Sequence, residues 1–166
     1  MKNDLLMNFS VDKENKTVNV KREFNASLSN VWSAWTEAEI LDLWWAPAPF
    51  KSKTKSMEFK EGGRRLYAMI SPEGHEGWST FDYSSISPKT NFKYAATFSD
   101  ADGNPNSEFG SSYWDITFSE QGDSTFVDIV IKRDSWEELE KIIEMGFKQG
   151  FTNAMESLDK IFETRK

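Results

Sequence analysis

The chain has no cysteine and a single histidine among its 166 residues. Without cysteine there is no disulfide scaffold, no thiolate nucleophile and no cysteine-ligated zinc, and one histidine cannot build a multi-histidine metal site. Long apolar runs are also missing. Nothing approaches the roughly 20 apolar residues of a membrane-spanning helix, and residues 1–14 lack the apolar core of a signal peptide. Basic residues are in deficit: 20 Lys and Arg against 27 Asp and Glu leave a net charge of −7, which argues against non-specific nucleic-acid binding and against an anionic membrane surface. No repeat and no Pro/Gly/Ser linker divides the chain. These absences point to a cytoplasmic protein without membrane insertion, nucleic-acid partner, metal or cofactor. We expect one domain over residues 17–166, preceded by residues 1–16 as either a leading strand or an extension.

What the chain has in quantity is aromatic surface: seven Trp, thirteen Phe and four Tyr. Such side chains supply cores, interfaces and ligand cavities alike. The stretch Ser135 to Phe162 carries Leu139, Ile142, Ile143, Gly146, Phe147, Gly150, Phe151, Ala154, Met155, Leu158, Ile161 and Phe162 at three- and four-residue steps. That spacing predicts one amphipathic helix, roughly 42 Å long at 1.5 Å per residue. Two glycines on its buried stripe each cost about 1 kcal/mol relative to alanine, so either a close approach or an open space is expected beside Gly146 and Gly150.

Earlier in the chain, Val18, Val20, Arg22 and Phe24 alternate with polar residues as in a half-buried strand. Ser27 or Ser29 can cap a short helix containing Val31, Trp32 and Trp35. Thr36 with Glu39 reads as a capping box for a second, with Ile40, Leu41, Leu43 and Trp44 on its apolar face until Pro47 and Pro49. From Ser52 to Lys132 the period is two, interrupted by Gly62-Gly63, Pro72 to Gly74, Pro88-Lys89, the Asp100 to Pro105 loop and Gly122-Asp123. The mixed parity of Phe81, Tyr83 and Ile86 predicts a bulge near Ser84 and Ser85. The order is strand, two short helices, six strands and a long helix. It predicts an α+β fold: a curved antiparallel sheet of six or seven strands gripping the C-terminal helix.

This order, together with Arg22 to Ala26 leading to Val31-Trp32, Ile40 to Pro47, Phe59 to Gly63, Gly74 with Gly77, Ile86 to Pro88, and Gly146 to Gly150 followed by Leu158, resembles the START-like or SRPBCC superfamily. Within it, the match is to bacterial domains similar to the activator of the heat-shock-protein ATPase. The resemblance implies a helix-grip fold with a cavity or cleft between sheet and helix. It implies no single activity: members bind lipids, hormones and polyketides, some catalyse cyclisation or dehydration, and the eukaryotic namesake works with a chaperone.

Chemistry-bearing residues give little for catalysis. Gly62-Gly63 lacks the spacing of either nucleotide-binding motif and reads as a hairpin turn. His75 lies in a polar turn with no nucleophile beside it. Glu37, Glu39 and Asp42 read as solvated helix surface, and alternation puts Glu58, Asp115 and Asp128 outside. Arg64 and Arg65 read as surface cations, with the alternative that one turns inward and orients an acidic ligand group. No catalytic residue is assigned. Cavity-lining candidates are Trp44, Trp45, Phe50, Phe59, Tyr67, Met69, Trp78, Phe81, Tyr94, Phe98, Trp114, Gly146, Phe147, Gly150, Phe151 and Met155. Opposite parity requires either Tyr113 or Trp114 to face out, and likewise Tyr67 or its neighbours Leu66 and Ala68.

Three functions compete. The first is binding of an apolar or aromatic small molecule between sheet and helix. The second is a docking module for a chaperone, or self-association, through exposed Trp44, Trp45 and Trp136. The third is a cyclase- or dehydratase-like enzyme, which needs a titratable group inside the cavity: Tyr67, Tyr94, Tyr113, Arg64 and Arg65 are the inward polar candidates, and an inward His75 or a buried Asp82 would strengthen this reading. A filled core remains the rival of an open cavity.

Overall fold

The computed structural model describes residues 5–106, 108 and 110–164. In chain order the elements are β1 (Met7–Asp12), β2 (Thr17–Phe24), α1 (Leu28–Thr36), α2 (Ala38–Trp44), β3 (Lys51–Met57), β4 (Arg64–Ile70), β5 (Glu76–Ser87), β6 (Asn91–Ser99), β7 (Ser111–Gln121), β8 (Ser124–Lys132), α3 (Trp136–Glu144) and α4 (Phe147–Thr164). All eight strands join one sheet in the order β1-β2-β8-β7-β6-β5-β4-β3, and every neighbouring pair is antiparallel. The strand beyond the expected count is β1, which pairs with β2 as a half-exposed edge. Residues 1–4 of the N-terminal segment lie outside the described residues.

The predicted bulge is present: Tyr83 pairs with Tyr94 but Ser85 with Lys93, leaving Ser84 unpaired. Ser27 caps α1 by accepting from the Asn30 N–H. The expected capping box of α2 does not form. Glu37 holds the cap position without a side-chain bond, and the Thr36 hydroxyl instead donates back to the Trp32 carbonyl at 2.8 Å. A hydroxyl at the end of α1 finds a carbonyl one turn back before it can reach the next helix.

The long helix is also corrected. It is two helices, because Gly146 sits at φ +92° and turns the chain between α3 and α4. Gly146 N–H donates to the Ile143 carbonyl at 3.1 Å, closing α3, and Gly150 N–H donates to the Gly146 carbonyl at 3.0 Å, opening α4. A left-handed backbone favours glycine because it has no Cβ to clash. Gly146 is therefore exposed at a joint rather than part of a buried stripe. Roughly 27 Å of α4 remain to lie across the sheet, with Phe151, Ala154, Met155, Leu158 and Phe162 buried. Arg22 of β2 ties this helix down by donating to the Asp159 carboxylate.

Side-chain size varies along the inner face of the sheet. At one end Val20, Ile129, Ile116 and Phe92 stand side by side on β2, β8, β7 and β6, and all are buried. Trp32, Phe59 and Phe118 pack edge-on around Phe92 or one another and fill that end. Towards the other end the partners shrink to Gly77 opposite Met69, Ser79 opposite Tyr67, and Ala96 opposite Phe81 and Ser112. Close packing at one end and missing volume at the other leave a hollow under α4.

The outer face is covered in part. The Asp100 carboxylate accepts from the Asp102 and Asn104 N–H groups and holds the loop after β6. Arg64 donates to the Gly103 carbonyl at 3.0 Å, and Lys55 to the Ala101 carbonyl at 2.9 Å. Under this loop Leu66 and Thr80 are buried on the side opposite Tyr67. The either-or expected for Tyr67 and its neighbours therefore does not apply, since both faces of β4 are closed. At β7 it does apply: Trp114 is buried and Tyr113 is exposed.

Candidate functional site

The hollow is a cleft of about 650 Å³ between the inner face of β4–β7 and the α3–α4 segment. Trp45, the residue that ends α2, enters from one side and makes an edge-on contact with Phe81 at 5.3 Å and a tilted contact with Trp114 at 5.6 Å. Phe147 and Phe151, one turn apart on α4, stack at 5.2 Å and meet Trp114 from above. Pro47 and Phe50, in the turn that carries α2 into β3, and Ile142 of α3 complete the walls. Gly150 faces Pro47: a Cβ there would lie 3.7 Å from Pro47 Cγ, an ordinary contact.

Of the sixteen expected lining residues, Trp45, Phe50, Tyr67, Met69, Phe81, Phe98, Trp114, Phe147, Gly150 and Phe151 surround this cleft. The other six lie elsewhere. Trp44 is fully packed, donating its indole N–H to the Ala34 carbonyl at 2.9 Å. Phe59 belongs to the filled end, against Tyr83 and Phe92. Trp78 is on the outer face beneath the Lys55 ammonium. Tyr94 points inward but is covered, stacked on Phe81 at 4.1 Å and on Trp114 at 5.6 Å. Gly146 is the exposed joint, and Met155 is buried further along α4. Sequence reasoning missed Pro47, Gly77, Ser79, Ala96, Ser112, Arg133 and Ile142, all of which line the cleft. Four of these are small residues on the neighbouring strands β5, β6 and β7, brought together only by the strand register.

Arg65 is the main electrostatic correction. It is not a surface cation: it takes the inward alternative and is wholly buried beneath the aromatic floor, where it is held by protein partners. Its guanidinium lies 4.0 Å from the Tyr67 ring centroid, donates to Ser52 Oγ at 3.1 Å and Thr54 Oγ1 at 3.2 Å, and pairs with Asp42 at 3.3 Å. Asp42 is accordingly not a free helix carboxylate. It also accepts from the Ser52 and Thr54 hydroxyls and the Thr54 N–H, clipping α2 to β3. Arg64, by contrast, pairs with Asp82 on the outer face at 2.6 Å.

Trp45 Nε1–H donates to the Tyr67 hydroxyl oxygen at 3.0 Å. Burial pushes the Tyr67 phenol above its ordinary pKa, while Arg65, Trp45 and Ser79 oppose the shift. Tyr83 and Tyr94 are raised for the same first reason, desolvation. All three are neutral at physiological pH. In the wall, Arg133 donates to Ser112 Oγ at 2.9 Å and faces Glu138. His75, Glu76 and Ser71 form the mouth, where His75 is exposed. Among the described residues, no group of three or more His, Asp or Glu side chains is placed to hold a metal, and no helix is long and apolar enough to cross a membrane.

A curved antiparallel sheet closed by a C-terminal helix, with two short helices after the second strand and an apolar cleft between the layers, defines a helix-grip domain. The chain belongs to the family described as Activator of Hsp90 ATPase homolog 1-like protein, whose model matches residues 25–163. A comparison with curated proteins gives no match. Among solved structures, protein Ms6760 from Mycobacterium smegmatis is similar with a TM-score of 0.88 and 22% identity, over 98% of this chain and all of that one. A protein from Arthrobacter aurescens is similar with a TM-score of 0.88 and 25% identity, over 95% of this chain and 91% of that one. CalU16 from Micromonospora echinospora shares the fold more loosely, with a TM-score of 0.59 and 16% identity over 96% of this chain and 73% of that one.

Proposed function

We propose that this is a cytoplasmic small-molecule-binding domain that holds an apolar or aromatic ligand in the cleft between the sheet and α4, without covalent chemistry. The observation that carries the proposal is the cleft itself: about 650 Å³, walled by Trp45, Phe81, Trp114, Phe147 and Phe151, with a few polar groups. Volume and lining both fall in the range of ligand pockets. Membership of the family fits either a ligand-binding or a co-chaperone-like domain. The docking reading relied on exposed Trp44 and Trp45, and both are buried, while Trp136 is half-buried. The enzyme reading needs a titratable group inside the cavity, and of the inward candidates Tyr67 lines the cleft as a phenol that burial keeps protonated; an inward His75 or a buried Asp82 would have strengthened it. His75 is exposed and Asp82 pairs with Arg64 on the outer face.

The test is titration with 2-acetylnaphthalene, followed by thermal shift and tryptophan fluorescence, on the wild type and on Gly150→Leu. A ligand held at 100 times its Kd stabilises the fold by about 2.7 kcal/mol, which is well resolved in a melt. We expect saturable binding by the wild type. Gly150→Leu should fold with a similar urea midpoint but lose binding, because its side chain occupies the cleft. A wild type that gives no shift with this or other apolar probes, or a Gly150→Leu variant that binds equally well, overturns the proposal.

A further inference from the structure

The cleft is apolar almost throughout, yet three polar groups meet at one place on its floor. Tyr67 and Ser79 are directly opposed on β4 and β5, and Trp45 arrives from the end of α2 to donate its indole N–H to the Tyr67 oxygen at 3.0 Å. An indole nitrogen is a donor only, so the Tyr67 oxygen is the acceptor in that contact and its own proton is directed elsewhere. A hydroxyl that already accepts a hydrogen bond is polarised to donate more strongly to the next acceptor. The charges nearby have the same sign of preference. Arg65 lies under the Tyr67 ring and Arg133 stands in the wall, whereas the one carboxylate among the described lining residues is Glu76, exposed at the mouth. An ammonium or amine would meet the Arg133 guanidinium in the wall and no interior carboxylate. An acceptor oxygen meets a donor.

Building on the binding role proposed above, we infer that the ligand is a flat apolar molecule carrying a hydrogen-bond acceptor, most simply a carbonyl oxygen, which takes the Tyr67 hydroxyl proton with Ser79 beside it. Trp45 acts through Tyr67, fixing the direction of its hydroxyl. The rings of Phe81, Trp114 and Phe151 take the flat body of the molecule.

A matched pair of probes separates this inference from the binding role on which it rests. 2-Acetylnaphthalene and 2-isopropenylnaphthalene have nearly the same shape, but only the first carries an acceptor. One neutral hydrogen bond corresponds to about threefold to tenfold in affinity. The wild type is expected to prefer the ketone by that factor. Tyr67→Phe should bind both probes equally, with its alkene affinity unchanged, so that the alkene reports an intact cleft. The carbonyl stretching band of the bound ketone should lie lower in the wild type than in Tyr67→Phe. Equal wild-type affinity for the two probes, or a preference that survives in Tyr67→Phe, overturns the inference while leaving the binding role standing. Failure of both probes to bind overturns both.

Discussion

A methyl group added at Gly63 would stand 2.1 Å from the Glu58 carbonyl oxygen and 3.0 Å from that of Lys60, both backbone atoms that cannot swing aside. Gly63 also accepts from Tyr83 N–H through its carbonyl, so the turn is fixed to β5 as well. Gly63→Ala should therefore cost about 2 kcal/mol or more, seen as a lowered urea midpoint with unchanged slope. Arg65 is the other residue whose surroundings decide its effect. Its planar fork reaches Ser52, Thr54 and Asp42 at once, and a lysine ammonium at the same position cannot. Arg65→Lys should lower stability by about 1–3 kcal/mol in the same measurement. That one of Arg64 and Arg65 could turn inward was legible, but the partners that let Arg65 be wholly buried were not, because they lie on α2 and β3 and no local pattern shows that two strands and a helix converge on one side chain. The burial of Phe81 and Trp114 was legible, because alternation along a strand is a local property.

At the scale of elements, the strands from β4 onward could be read almost residue by residue, since period-two runs and turn residues agree. The C-terminal helix could not. Its apolar spacing runs through Gly146 without interruption, and only the positive φ there separates α3 from α4. Periodicity reports which faces are buried but not whether the axis is continuous. The two glycines of this segment therefore have different roles. Gly150 has ordinary helical backbone and room for a methyl against Pro47. Gly150→Ala should raise stability by up to about 1 kcal/mol, read as a higher Tm, through the helix propensity of alanine. The residues lining the cleft were half legible for a related reason. Large aromatics announce themselves, but a space is made by what is small, and Gly77, Ser79, Ala96 and Ser112 become a pattern only once the strand register is known.

For the molecule as a whole, the floor of the cleft and the adjoining core share Tyr67, Tyr83 and Tyr94, all buried and all with pKa values raised by desolvation above the ordinary 10.0. The folded state thus keeps these protons at a pH where the unfolded chain releases them. Stability present below pH 10 should be lost as pH rises beyond it. Urea unfolding across an alkaline series, followed by tyrosinate absorbance, should show these phenols ionising together with unfolding. Tyr94 offers a specific check, because its hydroxyl is buried without a hydrogen-bond partner among the described residues. Tyr94→Phe should match or exceed the wild type at neutral pH and weaken the alkaline decline. The taper of the sheet, bulky at one end and small at the other, also separates two evolutionary demands. Residues such as Ile116, Ile129 and Phe92 are fully buried at the filled end, whereas Gly77 and Ala96 line the hollow with little or no side chain, so that a substitution there changes its shape away from that core. A lineage with this architecture can change the shape of its hollow through a few methyl-sized steps on β5 and β6 while the fold itself stays above its stability threshold.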